Sequence, residues 1–366
     1  MYIHQLKSWP DFQWDIEQIT LLLANVRHRQ GRLLGRMESL GFQLQELATL
    51  KTLTMDVVKS SEIEGEILDT AQVRSSIAQR LGIEIGGLVP IDRNVEGIVE
   101  MMLDATQQYK AILTDNRLFG WHASLFPVGG NRIHKFISGA WRNNSKSNPM
   151  QVVSGVLGRE KVHFQAPDSD KLKNEMEKFL QWFNSHEVID PVLKAAIAHL
   201  WFITIHPFSD GNGRIARAIT DMQLARADGS PHRFYSMSAQ IRTERHRYYD
   251  ILEETQKGTL DITAWIIWFL ECLDRAVSAT DITLGAVIKK ARLWESPLTQ
   301  AVNDRQKLML NKLLDGFTGK LTSSKWAVIT KTSQDTAIRD IQDLIGRGLL
   351  RKEDAGGRST SYVLSE

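Results

Sequence analysis

The stretch Asp190-Pro191-Val192-Leu193-Lys194-Ala195-Ala196-Ile197-Ala198-His199-Leu200-Trp201-Phe202-Ile203-Thr204-Ile205-His206-Pro207-Phe208-Ser209-Asp210-Gly211-Asn212-Gly213-Arg214-Ile215-Ala216-Arg217 reads as helix, loop, helix. Asp190-Pro191 supplies an N-cap and a proline at the first helical position, and Val192 to Ile205 is apolar enough for a buried helix. Pro207 ends it, because the residue before a proline is pushed out of helical geometry. Ile215, Ile219 and Met222 recur at helical spacing, so a second helix is expected from Asn212 or Gly213. The Gly-Asn-Gly turn then sits at a helix N-terminus.

Such a terminus offers unpaired N–H donors and a partial positive charge, and glycine lets the backbone approach an anion closely. Arg214 and Arg217 share a face of the second helix, where guanidinium forks suit phosphate oxygens. Asp210 is a hard oxygen ligand of the type Mg²⁺ takes beside bound phosphates, and His206, at the end of the first helix, is placed to serve as a general base. Each residue alone has a plainer reading: a satisfied core histidine, an ordinary turn, a solvated arginine face, or half of a transition-metal site for His206 and Asp210. Their conjunction within twelve residues, 206–217, points to a nucleotide phosphate.

The run resembles the Fic signature, His-x-Phe-x-Asp/Glu-Gly-Asn-Gly-Arg-x-x-Arg, with every defined position matched. The resemblance implies an α-helical core that transfers AMP from ATP to a Ser, Thr or Tyr hydroxyl of a protein and releases pyrophosphate. It implies His206 as base, Asp210 as the Mg²⁺ ligand, Gly211, Asn212 and Gly213 as anion hole, Arg214 and Arg217 on the β and γ phosphates, and Phe208 as the loop's anchor in the core. Doc-like relatives that transfer the γ phosphate carry Ala and Lys where this chain has Gly211 and Gly213-Arg214, so the intact loop favours AMP.

Two upstream segments extend the resemblance. Gln151-Val152-Val153-Ser154-Gly155-Val156, a polar turn at Gly158, and Val162-His163-Phe164-Gln165 read as a β-hairpin. It resembles the flap over a Fic site, where a target segment adds as a strand; the alternative is an ordinary surface hairpin. Ser60-Ser61-Glu62-Ile63-Glu64-Gly65 carries two readings. Ser61-x-x-Glu64 is a capping box that would start a helix through Ile67, Val73 and Ile77. Ser60-x-x-x-Glu64-Gly65 also matches the inhibitory motif of the Fic family, which implies that Glu64 pairs with Arg217 and removes a partner from the γ phosphate.

The 366 residues carry a net charge of +2 and 42% apolar residues, which allows two or three domains and shows no global bias toward nucleic acid or acidic lipid. No signal-peptide plan and no membrane-length apolar run is read, so a cytoplasmic chain is expected; the single cysteine, Cys272, excludes an intrachain disulfide and is expected in the core. Helices are expected over Trp14 to Gly35 and Glu38 to Val58, then a break from Gly82 to Pro90, then a helix from Asn94 to Ile112. Trp9-Pro10 and Trp14 resemble the small N-terminal domain before some Fic cores. The expected division is a helical N-terminal region with the inhibitory helix (1–94), a Fic-type core (95–275), a linker helix (276–300) and a C-terminal domain (301–366).

In that last domain, helices at Arg305 to Leu314, Ser323 to Ile329 and Ser333 to Ile345, the third with Ile338, Ile341 and Ile345 inward, precede two strands around Gly356-Gly357. This order resembles a winged helix-turn-helix. Arg339 and Gln342 suit base edges, and Arg351, Lys352 and Arg358 a basic wing, but Asp335, Asp340 and Asp343 would face phosphate, so docking of protein or a homodimer is favoured over DNA. The fold class is therefore mainly α, with a β-hairpin flap and a C-terminal winged helix. The functional expectation is an autoinhibited adenylyltransferase using ATP and Mg²⁺. The alternatives are a DNA-binding regulator whose site senses nucleotide, or a transferase with another donor.

Overall fold

The computed structural model describes the chain except 86, 128–136, 156–158, 187, 315–316, 318, 354–359 and 366; for 43, 281–284, 286–292 and 295 it describes the backbone alone. Two compact units divide it, Met1–Thr280 and Asp281–Glu366.

The first unit is helical: α1 (Ile16–Glu38), α2 (Phe42–Ile63), α3 (Thr70–Leu81), α4 (Arg93–Gln107) and α5 (Asp115–Leu125) precede a hairpin of β1 (Gln151–Ser154) and β2 (Lys161–Gln165). Then come α6 (Leu172–Asn184), α7 (Pro191–Ile205), α8 (Asn212–Asp228), α9 (Met237–Thr243), α10 (Arg245–Gln256) and α11 (Thr263–Glu295), within which the division between the units falls. At the centre, α7 packs along α8, and α8 against α4. Every residue of α7 from Val192 to Ile205 is buried, so this helix is apolar all round rather than amphipathic. Asp190 caps it by accepting from the Val192 N–H, and it stops at Ile205, where the Pro207 rule places its end. Around this pair α1 presents the single face Ile19, Val26, Gln30, Leu33 and Met37 inward, the spacing of an amphipathic helix.

The capping-box reading of Ser61-x-x-Glu64 is overturned. Ser60 and Ser61 lie in the last turn of α2, Glu64 is its C-cap, and α3 begins only at Thr70, capped by Asp69. Ile67, expected on the inward face of that helix, is 87% exposed. Gly65, at φ 85°, turns the chain immediately after Glu64, so the apolar run that reads on from α2 is broken by a left-handed residue. The fourth helix also ends earlier than its sequence suggests, at Gln107 instead of Ile112.

The second unit contains α12 (Asp304–Leu314), α13 (Ser323–Thr330), α14 (Gln334–Gly346), β3 (Leu350–Lys352) and β4 (Tyr362–Leu364), the strands antiparallel. Met309, Leu310, Trp326, Ile341 and Leu344 form its core. The inward face of α14 is Ala337, Ile341 and Leu344 with Asp340, while Ile338 and Ile345 are half-buried on its flanks. Asp340 and Asp343 do not stand free: Asp340 accepts from Arg305 Nε at 2.8 Å and Asn303 Nδ2 at 3.0 Å, and Asp343 from Gln306 Nε2 at 2.8 Å. The expectation that both face phosphate is corrected, because they tie α14 to α12 and its cap; Asp335, Arg339 and Gln342 remain exposed. The strand turn with Gly356, Gly357 and Arg358 lies outside the described residues.

Close helix contact in the first unit gives a direct test. A Cβ on Gly97 of α4 would lie 1.8 Å from the Ser124 carbonyl oxygen of α5, while one on Gly120 meets nothing within 4 Å. Gly97→Ala is expected to destabilise by about 1–3 kcal/mol or more and Gly120→Ala to stabilise by about 0.5–1 kcal/mol, read by calorimetric unfolding; equal midpoints for the two variants would contradict this packing.

Candidate active site

The loop between α7 and α8 is built by backbone geometry that its residue types permit. His206 is left-handed at φ 52°, and its N–H still donates to the Phe202 carbonyl at 3.0 Å. Gly211 is left-handed at φ 77° and caps α8; a Cβ there would press on the Phe126 ring at 2.9 Å. Asn212 closes the loop on itself, its Oδ1 accepting from the Phe208 N–H at 2.9 Å and its Nδ2 donating to the Phe208 carbonyl at 2.8 Å. The Asn212 side chain is therefore spent on the loop, and what it offers an anion is its backbone at the start of α8. Phe208 is fully buried, stacked on His122 with centroids 4.3 Å apart and tilted against Trp141 at 4.8 Å. It anchors the loop in the core.

Arg142 was not singled out from sequence, and it braces this turn from the far side. Its Nε donates to the His206 carbonyl at 2.7 Å, its Nη2 to the Pro167 carbonyl at 2.6 Å, and its N–H to the Pro207 carbonyl at 2.9 Å. Burial lowers the guanidinium to about 10, which leaves it charged at neutral pH. Little local signal marks Arg142: apart from Asn144 Oδ1, to which its Nη1 donates at 2.6 Å, its partners are backbone carbonyls that any sequence supplies.

His206 Nδ1 lies 3.2 Å from the Ile203 carbonyl, an acceptor only, so Nδ1 carries the ring proton and Nε2 is the basic nitrogen. Burial pushes its pKa down to about 4, so the ring is neutral and able to take a proton at pH 7. Asp210 is exposed, with Oδ1 accepting from the Gly211 N–H at 2.6 Å.

Arg214 and Arg217 of α8 are both buried, and both meet carboxylates. Arg217 donates through Nη2 to Glu64 Oε1 at 2.8 Å and to the Ser60 carbonyl at 2.8 Å, and through Nε to Ser60 Oγ at 2.8 Å. Ser60 and Glu64 are one helical turn apart, which puts both on the face of α2 that meets Arg217. Burial opposes the charge on Arg217, yet the Glu64 carboxylate beside it holds its pKa above the ordinary value. Arg214 donates through Nη1 to Glu66 Oε2 at 2.7 Å, and Glu66 Oε1 accepts from Asn94 Nδ2 at 2.5 Å. Glu66 is a second carboxylate that sequence reading missed; its position, two residues past Glu64, was its only signal. Gly213 is required by the same contact: a Cβ there would lie 2.1 Å from Glu64 Oε1. Arg217 Nη1 and Arg214 Nε are buried without a hydrogen-bond partner among the described residues, donor capacity that an anion can use.

Glu64, His206, Asp210 and Gly211 to Gly213 share a cleft of about 770 Å³ with the β-hairpin and α10. Val152, Val153 and Ser154 of β1 line it; Gly155 follows at φ 108°, and Val156 lies outside the described residues.

Residues 112–224 match the Fic/DOC family model. The chain carries a Fic/DOC domain. Ahead of that domain, residues 2–83 match a family described as a domain of unknown function, DUF4172. Among similar proteins, the protein adenylyltransferase Fic of Aedes aegypti is 28% identical over 227 residues, 60% of this chain and 40% of the relative. The protein of the same name from Nematostella vectensis is 34% identical over 117 residues, 31% of this chain and 25% of the relative. The chain thus spans about two fifths of the length of the Aedes relative it matches. A crystal structure of a Fic family protein from Desulfovibrio desulfuricans G20 aligns with a TM-score of 0.53 at 20% identity, covering 95% of this chain and 96% of that one. A Fic domain containing signaling protein from Bacteroides thetaiotaomicron VPI-5482 gives 0.50 at 20% identity, covering 75% and 98%. These two likenesses establish the fold, a mainly helical Fic architecture.

Two further histidines support the Fic/DOC core by staying neutral. His199 on α7 is buried between Thr220 Oγ1 at 2.8 Å and Tyr248 Oη at 2.9 Å, and burial takes it down to about 3. Burial takes His122, stacked on Phe208, to about 4. Unfolded, both titrate near 6.5, so below that pH the unfolded chain binds more protons and stability falls as the medium is acidified. Denaturant midpoints are expected to decline less steeply from pH 6.5 toward pH 4 in His199→Gln than in the unsubstituted chain, which carries the buried neutral imidazole; identical pH slopes for the two would contradict it.

Proposed function

We propose that this chain is an autoinhibited protein adenylyltransferase that moves AMP from Mg-ATP to a Ser, Thr or Tyr hydroxyl of a protein. The observation that carries the reading is the pairing of Arg214 with Glu66 and of Arg217 with Glu64, the latter carboxylate lining the cleft that also holds a neutral His206. In this mechanism His206 Nε2 takes the proton of the attacking hydroxyl. The N-terminal N–H groups of α8 hold phosphate oxygens, and Arg214 and Arg217 hold the β and γ phosphates. Asp210 would hold Mg²⁺, which neutralises phosphate charge when bound. Among the described residues no group of three His, Cys, Asp or Glu is placed to hold a metal ion, in keeping with an ion that takes its other ligands from phosphate and water. The free edge of the hairpin, from Val152 to Gly155, would pair with an extended target segment.

Glu64 and Glu66 act as brakes in this reading, since each occupies a guanidinium that the phosphate tail needs. The second unit we assign to docking a protein or another copy, because α14 carries one cation, Arg339, beside the exposed carboxylate of Asp335, while Arg305 and Arg347 are taken up by Asp340 and Asp343.

Transfer is tested with label on the α or the γ phosphate, in cell extract. Label is expected on protein from α alone. Glu64→Gly is expected to raise it about tenfold to a hundredfold, the worth of a charge-assisted hydrogen bond of about 1.5–3 kcal/mol. Glu66→Gln should give a further rise in that background, and His206→Ala a loss of about a hundredfold to ten-thousandfold. Label from γ would make the protein a kinase, and an unchanged Glu64→Gly would reduce Glu64 to a structural partner of Arg217.

A further inference from the structure

A bulge in the hairpin brings three side chains into line. Val152 pairs with Phe164, Val153 with Val162 and Ser154 with Lys161, so His163 is the extra residue of β2. An extra residue breaks the strand's alternation and re-aims its side chain. The His163 ring lies between two partners, with Nδ1 at 2.5 Å from Glu253 Oε2 of α10 and Nε2 at 2.6 Å from Ser154 Oγ. Glu253 is ionised: Lys257, donating to its Oε1 at 2.6 Å, and then His163 hold its carboxyl down at about 2. A carboxylate only accepts, so Nδ1 carries the ring proton and Nε2 is left to accept the hydroxyl proton of Ser154. Ser154 is exposed, and it lines the same cleft as His206 and the start of α8.

A hydroxyl, a base within hydrogen-bond reach and an acid that fixes the base's tautomer make an activated nucleophile. The transfer to a protein target through His206 uses none of the three. The α8 terminus in this cleft, Gly211 to Gly213, with Arg214 and Arg217 buried in the turn behind it, suits a phosphorus centre. We propose that Ser154 is a site of self-modification, its Oγ taking AMP from ATP in the cleft, with His163 as the base and Glu253 as a positioning residue. The inference rests on AMP transfer as the activity of this site. The bond from Ser154 Oγ to the α phosphorus forms and the bond from that phosphorus to the oxygen bridging to the β phosphate breaks. Pyrophosphate leaves with the electron pair, and the serine proton passes to His163 Nε2 and on to water. An AMP group on Ser154 puts a bulky anion on β1, the strand offered to a target, so the modified chain would dock targets less well.

The test uses the full chain with Glu64→Gly, α-labelled Mg-ATP and cell extract, followed by peptide mapping. A parallel arm treats the chain with a fluorophosphonate, which reports an activated serine without nucleotide. Label is expected on the Ser154 peptide from both reagents, abolished by Ser154→Ala and reduced about a hundredfold or more by His163→Gln. Glu253→Gln should slow fluorophosphonate labelling and Glu253→Asp partly restore it, because the carboxylate that holds the proton on His163 Nδ1 and turns Nε2 toward Ser154 is gone. Labelled extract proteins beside an unlabelled Ser154 would overturn self-modification and leave AMP transfer standing. Ser154 labelling that His163→Gln leaves unchanged would overturn the relay. No nucleotide label on any protein would overturn AMP transfer and self-modification together, and the fluorophosphonate arm would then decide the relay alone.

Discussion

A buried guanidinium has to be paired, and Arg217 is the charge around which the cleft of this protein is arranged. It is 2% exposed, and stripping water from an ion without returning partners costs several kcal/mol. Ser60 and Glu64 supply those partners from the last turn of α2. That contact joins α8 to the end of α2, where Glu64 caps the helix and Gly65 turns the chain. In the function proposed above, an incoming phosphate tail would compete for the same donors, so the interaction that completes the folded protein would also be the one that opposes catalysis. Removing one partner of a buried pair costs about 3–5 kcal/mol when nothing replaces it, whereas a phosphate replaces it in kind.

The second constraint is the turn at His206 to Asn212. A left-handed histidine, a proline that cannot continue α7 and a left-handed glycine at the cap of α8 leave the backbone few alternatives. Asn212 then pairs the Phe208 N–H and carbonyl, Arg142 takes the His206 and Pro207 carbonyls, and Phe208 fixes the depth of the turn in the core. The rigidity matters because in-line attack tolerates little displacement of base from phosphorus. The same physics governs the second unit, where Asp340 of α14 is 6% exposed and pairs with Arg305, committing to packing a charge that the sequence leaves at the surface.

Sequence determined the local elements here. Asp190-Pro191, Pro207 and Gly211 act within a residue or two of themselves, so the limits of α7 and α8 follow directly from them. The same holds for the hairpin and for the three helices of the second unit, whose apolar spacing is local. The tertiary structure decided what long-range partners do. Ser61-x-x-Glu64 reads as a helix start because a capping box is a local pattern, and it became a helix end because Arg217, far along the chain, binds Ser60 and Glu64 in that geometry. Arg142, Glu66 and the line from Ser154 through His163 to Glu253 carry no spacing signal. Apart from Asn144 beside Arg142 and Lys257 beside Glu253, their partners lie between 9 and 148 residues away, and the packing of the first unit brings them within hydrogen-bond distance.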